Sequence, residues 1–300
     1  MRRLSFPEHK SLNPTADRSA PPTLEVVLRG GLGNQLYQWA FTELVREALP
    51  IRVVFDSSIV NLGGIHWGEQ LSQLIPAVNV SDRRRRPITA LMSKPVWAIA
   101  RYYQWFYPKF ESFRHSTPQQ AIRRLSHGLN ARVADPCMFI ADYDAHREIA
   151  LSVGRYLAES HPISAPHAAL HIRRGDYHQQ WARALLSPDF YVRGAEKMNA
   201  GVPLWIVSDD KEFAGQVADQ MVAAGIEAVV VGGEDHYYDL AVLASASSLL
   251  LSTSTFSWWG AYIAETVKGA SVYFPDPWSP DQMTEKLRFA LPKWHGVPRR

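Results

Sequence analysis

The sequence predicts an α/β protein with a doubly wound parallel sheet, and three observations carry that prediction. From about residue 168 onward, short apolar runs alternate with stretches of helical spacing, the rhythm of parallel strands joined by right-handed crossovers. Near the other end, a glycine loop at 30–33 joins an apolar strand to a helix. The third signal is residues 171–177, His-Ile-Arg-Arg-Gly-Asp-Tyr, a dense polar run placed where a buried strand passes into a loop. Open α/β sheets bind ligands at such strand ends. With 300 residues and 46% apolar content, the chain has material for two α/β halves or one large domain.

Residues 1–23 carry Arg2, Arg3, Lys10 and Arg18 among four prolines and no apolar run, which predicts a disordered basic tail. Arg2 and Arg3 are not followed by a hydrophobic segment, so no export signal is expected. No stretch reaches the roughly 18 apolar residues of a membrane span. A single cysteine, Cys137, excludes an internal disulfide and suits a reducing, cytoplasmic compartment. The net charge of +3 is too small to point to nucleic acid.

The ordered chain is expected to open with the strand Leu24-Glu25-Val26-Val27-Leu28. Leu36, Trp39, Ala40, Leu44 and Val45 then recur at helical spacing. Gly30, Gly31 and Gly33 therefore lie in a strand-to-helix turn, where backbone N–H groups can approach a phosphate. A dinucleotide fingerprint is not complete here, because Leu36 stands where the third glycine belongs. Asp56 ends the next strand near the distance of a ribose-binding acid, so NAD binding stays as an alternative.

From Asp56 to about Phe139 the pattern is less regular. An aromatic run at 97–107 reads as a helix buried on the first domain or, with the four arginines at 83–86 supplying attraction, as a surface that docks on anionic membrane. Asp142 and Asp144 have the Asp-x-Asp spacing of a divalent-ion site, but no strand precedes them and metal binding is not expected. Beyond 177 the predicted order is helix 189–200, strand 204–207, helix 212–224, strand 228–231, helix 238–246, strand 249–251 and a helix from about Trp258.

Three loops are thus expected at one sheet edge, after Ile172, Val207 and Leu251. Arg173 and Arg174 supply rigid forks of donors that match phosphate oxygens. Asp209 or Asp210 can accept from ribose hydroxyls or from guanine N–H groups. Ser252-Thr253-Ser254-Thr255 precedes a helix and offers hydroxyls together with amides, although such residues also serve as simple helix caps. Together the loops suit a nucleoside diphosphate.

Residues 30–40 (Gly-Gly-Leu-Gly-Asn-Gln-Leu-Tyr-Gln-Trp-Ala), 171–177, 208–210 (Ser-Asp-Asp) and 252–261 (Ser-Thr-Ser-Thr-Phe-Ser-Trp-Trp-Gly-Ala) occur in the order seen in α-1,2-fucosyltransferases of glycosyltransferase family 11. The chain resembles that family from about Leu24 to Trp278. The resemblance implies a GT-B architecture of two Rossmann-like domains facing a cleft, an acceptor-side domain at 24–160 and a GDP-fucose-binding domain at 161–300. It further implies inversion at the anomeric carbon, with GDP-fucose as co-substrate and no cofactor or metal. Transfer to the 2-hydroxyl of a terminal galactose in a surface glycan precursor is expected, at the inner face of the plasma membrane.

By the same resemblance, Arg173 and Arg174 meet the diphosphate, with His171 beside them, and Asp209 faces the nucleoside. Ser254, Thr255 and Phe256 lie at the diphosphate, while Gly31, Gly33 and Asn34 reach the reacting centre from across the cleft. Asp176 is the nearest candidate base, with His178 and Glu43 behind it, and it could equally serve as the ion-pair partner of Arg173 or Arg174. The chain departs from the family at 139–146, which leaves the acceptor open. Other readings are the same donor with a different acceptor or linkage, and a nucleotide- or glycan-binding protein without turnover.

Overall fold

The computed structural model describes residues 21–57, 60, 68–74, 79–81, 117–133, 143–233, 235–280 and 289–300. In the first part of the chain, β1 (Thr23–Val27), β2 (Arg52–Asp56), β3 (Val80–Ser81) and β4 (Ala131–Val133) form a sheet in the order β3-β2-β1-β4. Further on, β5 (Ala168–Ile172), β6 (Leu204–Ser208), β7 (Ala228–Val230), β8 (Ser248–Leu250), β9 (Ser271–Asp276) and β10 (His295–Pro298) form a second, in the order β10-β9-β8-β5-β6-β7. Every pairing is parallel. Strand order reverses between β1 and β4 in the first sheet and between β5 and β8 in the second. Crevices open at such switch points, beyond the carboxyl ends of the strands.

The helices follow from spacing and caps. α1 (Leu32–Ala48) buries Leu36, Tyr37, Ala40, Phe41 and Val45 along one stripe, and its N-cap Gly31 provides no side-chain acceptor. Short α2 (Leu71–Leu74) and α3 (Pro118–Ser126) come next, the latter started by a reciprocal capping box between Thr117 and Gln120. α4 (Tyr143–Ser160) was not expected from the sequence, although Ile149, Ala150, Val153 and Leu157 mark its buried face at helical spacing. It puts Asp144 in a first helical turn, while Asp142 and the runs at 83–86 and 97–107 lie outside the described residues, as does Cys137.

The second sheet carries short α5 (Tyr177–Gln180), α6 (Pro188–Met198), α7 (Lys211–Ala223), α8 (His236–Ser245) and α9 (Thr255–Lys268), close to the predicted spans. Ser187, Asp210, Asp235 and Ser254 cap the last four, each accepting an N–H from its helix's first turn. α6 and α7 cover one face of the sheet around Leu170, Ile172, Ile206 and Leu250. On the opposite face, α8 and α9 share a continuous core with α1, α4 and the first sheet. At its centre Tyr37, His146, Trp258, Trp259 and Tyr262 meet, the Tyr37 ring 5.1 Å from that of Trp258 and 5.3 Å from that of Trp259. No helix among the described residues is long and apolar enough to cross a membrane.

Candidate active site

The motif at 171–177 leaves β5 at the switch point of the second sheet, and the Ser/Thr run leaves β8 beside it. His171 joins the two loops, its Nδ1 lying 2.7 Å from Ser252 Oγ. Burial, with Arg173 adding repulsion, drives the pKa of His171 down to about 3, so the ring is neutral. A pH dependence follows. The unfolded chain takes up a proton near pH 6.5 that the fold refuses, so this stabilising contribution is complete above that pH and is lost as pH falls toward 3, at about 1.4 kcal/mol per pH unit. Asp239 acts in the opposite sense, since burial raises its pKa to about 6 and the fold gains from its protonation as pH falls below that value. Denaturant unfolding of wild type and His171→Gln at pH 7.5 and 5.0 separates the two. The loss on acidification should be smaller in the variant by about 2 kcal/mol, and equal losses would refute the assignment.

Arg173 is held at three points. Its guanidinium donates to Asp176 Oδ1 at 2.5 Å and lies 2.8 Å from Asp209 Oδ2 through the other terminal nitrogen. The Tyr177 ring sits 5.5 Å away, close enough for a cation–π contact. Tyr177 Oη donates to the Thr253 carbonyl at 2.8 Å, and desolvation pushes its pKa up to about 12, which keeps that proton in place. Asp209 also accepts the Arg174 backbone N–H at 2.8 Å. A Cβ on Gly175 would stand 2.5 Å from Asp209 Oδ2, so a larger residue there would push this carboxylate off its place on Arg173. Arg174 turns away onto Asp210 at 3.2 Å and the Phe213 ring at 3.7 Å.

Several expected positions are brought together. Asp209, expected at a nucleoside, pairs with Arg173, and Asp176 takes the ion-pair position that was one of its two expected roles. Arg174 is engaged with the cap of α7. Across the seam, Thr255 Oγ1 donates to Asn34 Oδ1 at 2.8 Å, which ties the start of α9 to the glycine loop after β1. Gly33 makes this approach possible, since a Cβ on it would lie 2.5 Å from Phe256 N. Phe256 in turn faces the His171 ring at 5.5 Å. Of the reserve bases, His178 is exposed on α5, while Glu43 accepts from Trp39 Nε1 at 2.9 Å and pairs with Arg46.

Asp239 was not anticipated from the sequence. It is buried on α8, accepts the Gly233 N–H at 2.8 Å, and lies under the loop that follows β7. That loop abuts the end of β6, for a Cβ on Gly233 would stand 2.7 Å from the Ser208 carbonyl. Only its helical spacing beside the Gly232-Gly233 pair could have marked it. No group of three or more metal-binding side chains is assembled among the described residues.

Two parallel sheets whose switch points meet at one seam, with a clamped arginine and paired helix starts, form the GT-B arrangement of a glycosyltransferase. The profile described as Glycosyl transferase family 11 matches residues 133–298, more than half of the chain, and the chain belongs to that family. It is 22% identical over 276 residues to an Alpha-1,2-colitosyltransferase of Escherichia coli, covering 84% of this chain and 90% of that protein. Identity is 23% with the O-antigen biosynthesis glycosyltransferase WbnK of Escherichia coli, covering 87% of this chain and 96% of that one. The fold is shared with the E. coli heptosyltransferase WaaC solved with ADP, at a TM-score of 0.51 and 12% identity, over 92% of this chain and 93% of that one.

Proposed function

We propose that this glycosyltransferase is an inverting, metal-independent α-1,2-fucosyltransferase that moves fucose from GDP-fucose to the 2-hydroxyl of a terminal galactose, or similar sugar, in a surface glycan precursor. The observation that carries this reading is the Arg173 guanidinium, fixed by Asp176, Asp209 and the Tyr177 ring beside the turn that starts α9. As the bond between sugar and diphosphate breaks, negative charge grows on the departing phosphate, and a cation already oriented stabilises it without reorganising. Ser254, Thr255 and Phe256 contribute the helix start to the same oxygens.

Neutral His171 supports the pocket floor without adding charge. The nucleoside contact falls to Asp239, whose carboxylate in the first turn of α8, under the loop after β7, can accept guanine N–H groups. Asn34 meets the transferred sugar from the opposite side, held there by Thr255. A second reading keeps the linkage and changes the sugar to colitose, as the name of one relative suggests.

Isothermal titration in EDTA with GDP, GDP-fucose, GDP-mannose, UDP-galactose and NAD tests the donor. GDP and GDP-fucose should bind without added metal, whereas UDP-galactose and NAD should give no heat of binding. Uptake of GDP-fucose only after a divalent ion is supplied would sink the metal-independent mechanism, and preference for UDP-galactose would sink the donor.

A further inference from the structure

Arg299 follows β10 and turns back into the second sheet, where its guanidinium is half buried. One terminal nitrogen donates to Thr253 Oγ1 and to the Trp278 carbonyl, both at 3.0 Å. The other donates to the Ala184 carbonyl at 2.9 Å and the Arg183 carbonyl at 3.5 Å. All four acceptors are neutral oxygens, so burial without an opposing carboxylate lowers the pKa of this arginine. A desolvated cation is costly to keep and would be replaceable by an apolar side chain if packing were its whole purpose.

The segments it joins explain the cost. Thr253 is the last residue of the short loop between β8 and the cap of α9, and its hydroxyl also donates to the Trp278 carbonyl at 2.8 Å. Its carbonyl receives Tyr177 Oη, and the Tyr177 ring lies beside the Arg173 guanidinium. Arg183 and Ala184 belong to the short turn that continues the 171–177 loop, so Arg299 holds that turn directly and reaches Tyr177 through Thr253. β10 is itself fastened to α6 by Arg193 on the Pro298 carbonyl and by Lys197 on the Gly296 carbonyl, which gives Arg299 a firm base.

We propose that Arg299 is a positioning residue for the donor site, holding the Thr253 turn so that Tyr177, and through its ring Arg173, keep their places at the diphosphate. This inference rests on the reading of that site as a GDP pocket. Three hydrogen-bonded segments converge on one planar fork, a task for which lysine, with a single charged centre, is a poor substitute.

The test is titration of the full chain with GDP in EDTA, comparing wild type with Arg299→Ala, Arg299→Lys, Tyr177→Phe, the Arg299→Ala/Tyr177→Phe double variant and Arg300→Ala, with thermal melts alongside. Arg299→Ala should weaken GDP about tenfold and Arg299→Lys about threefold, while exposed Arg300→Ala changes nothing. The double variant should bind no more weakly than the worse single, because both remove one linkage. If Arg299→Ala does not fold, the lysine variant and its cycle with Tyr177→Phe carry the comparison. GDP binding within twofold of wild type in both Arg299 variants, or losses that add with Tyr177→Phe, would overturn the inference while leaving the donor intact. Wild type that binds no GDP would overturn the donor reading and this coupling together.

Discussion

Arg173→Ala should lower turnover with GDP-fucose by about 10²–10³-fold, the scale seen when one oriented donor to a developing charge is removed. The loss should lie mainly in kcat, because charge on the leaving phosphate is greatest in the transition state. Removing the guanidinium also leaves Asp176 and Asp209 facing each other across its place, so their mutual repulsion adds to the damage. Arg173→Lys keeps the charge but has one nitrogen where the structure uses two, and should recover only part of the activity. Steady-state kinetics with far-UV circular dichroism decide the matter. A folded Arg173→Ala enzyme with turnover within fivefold of wild type would show that leaving-group stabilisation comes from elsewhere.

Gly33→Ala should cost about as much by a different route. The added methyl would meet Phe256 N at 2.5 Å, the Thr255 carbonyl carbon at 2.6 Å and Phe256 Cα at 2.8 Å, all backbone, so no side-chain rotation relieves it. The starts of α1 and α9 must separate, and the bond from Thr255 to Asn34 lengthens with them. A misplacement of roughly 1 Å at a reacting centre costs about 10²-fold in rate. Gly215→Ala is the contrasting substitution, with nothing within 4 Å of the new methyl on α7. It should leave the rate unchanged and stabilise the fold by about 0.5–1 kcal/mol. Equal rates for Gly33→Ala and wild type would mean that the seam opens during turnover and that its closed form is not the reacting one.

Periodicity made most of the second sheet legible, because each buried strand there is a short unbroken apolar run and each helix shows one stripe. The expected strand at 204–207 ends one residue before β6 does, and the expected helix at 212–224 is shifted by one residue from α7. α4 escaped notice because its polar start follows an irregular stretch, and only Ile149, Ala150, Val153 and Leu157 betray it. Motif residues were visible as types at strand ends, but pairing among them was not. Asp209 and Asp210 are adjacent in sequence, yet one holds Arg173 and the other caps α7 and takes Arg174. That division depends on which way each side chain leaves the strand end. Arg299 was invisible for a related reason, since beside Pro298 and Arg300 it looks like part of a solvated basic end.

The aromatic knot of Tyr37, His146, Trp258, Trp259 and Tyr262 bears on how new enzymes could be made from this one. Chimeras that exchange the N-terminal half are an obvious way to redirect a glycosyltransferase, and a cut near residue 160 would fall in the linker before β5. Here such a cut would separate α1 and α4 from α9, whose rings are packed into theirs. A graft would inherit a mismatched set of large side chains at the deepest point of the shared core, where misfits of a single methylene are felt. The unit of exchange is therefore the half together with the facing surface of α9, and swaps that carry Trp258, Trp259 and Tyr262 along with their partners should yield folded protein where simple cuts do not.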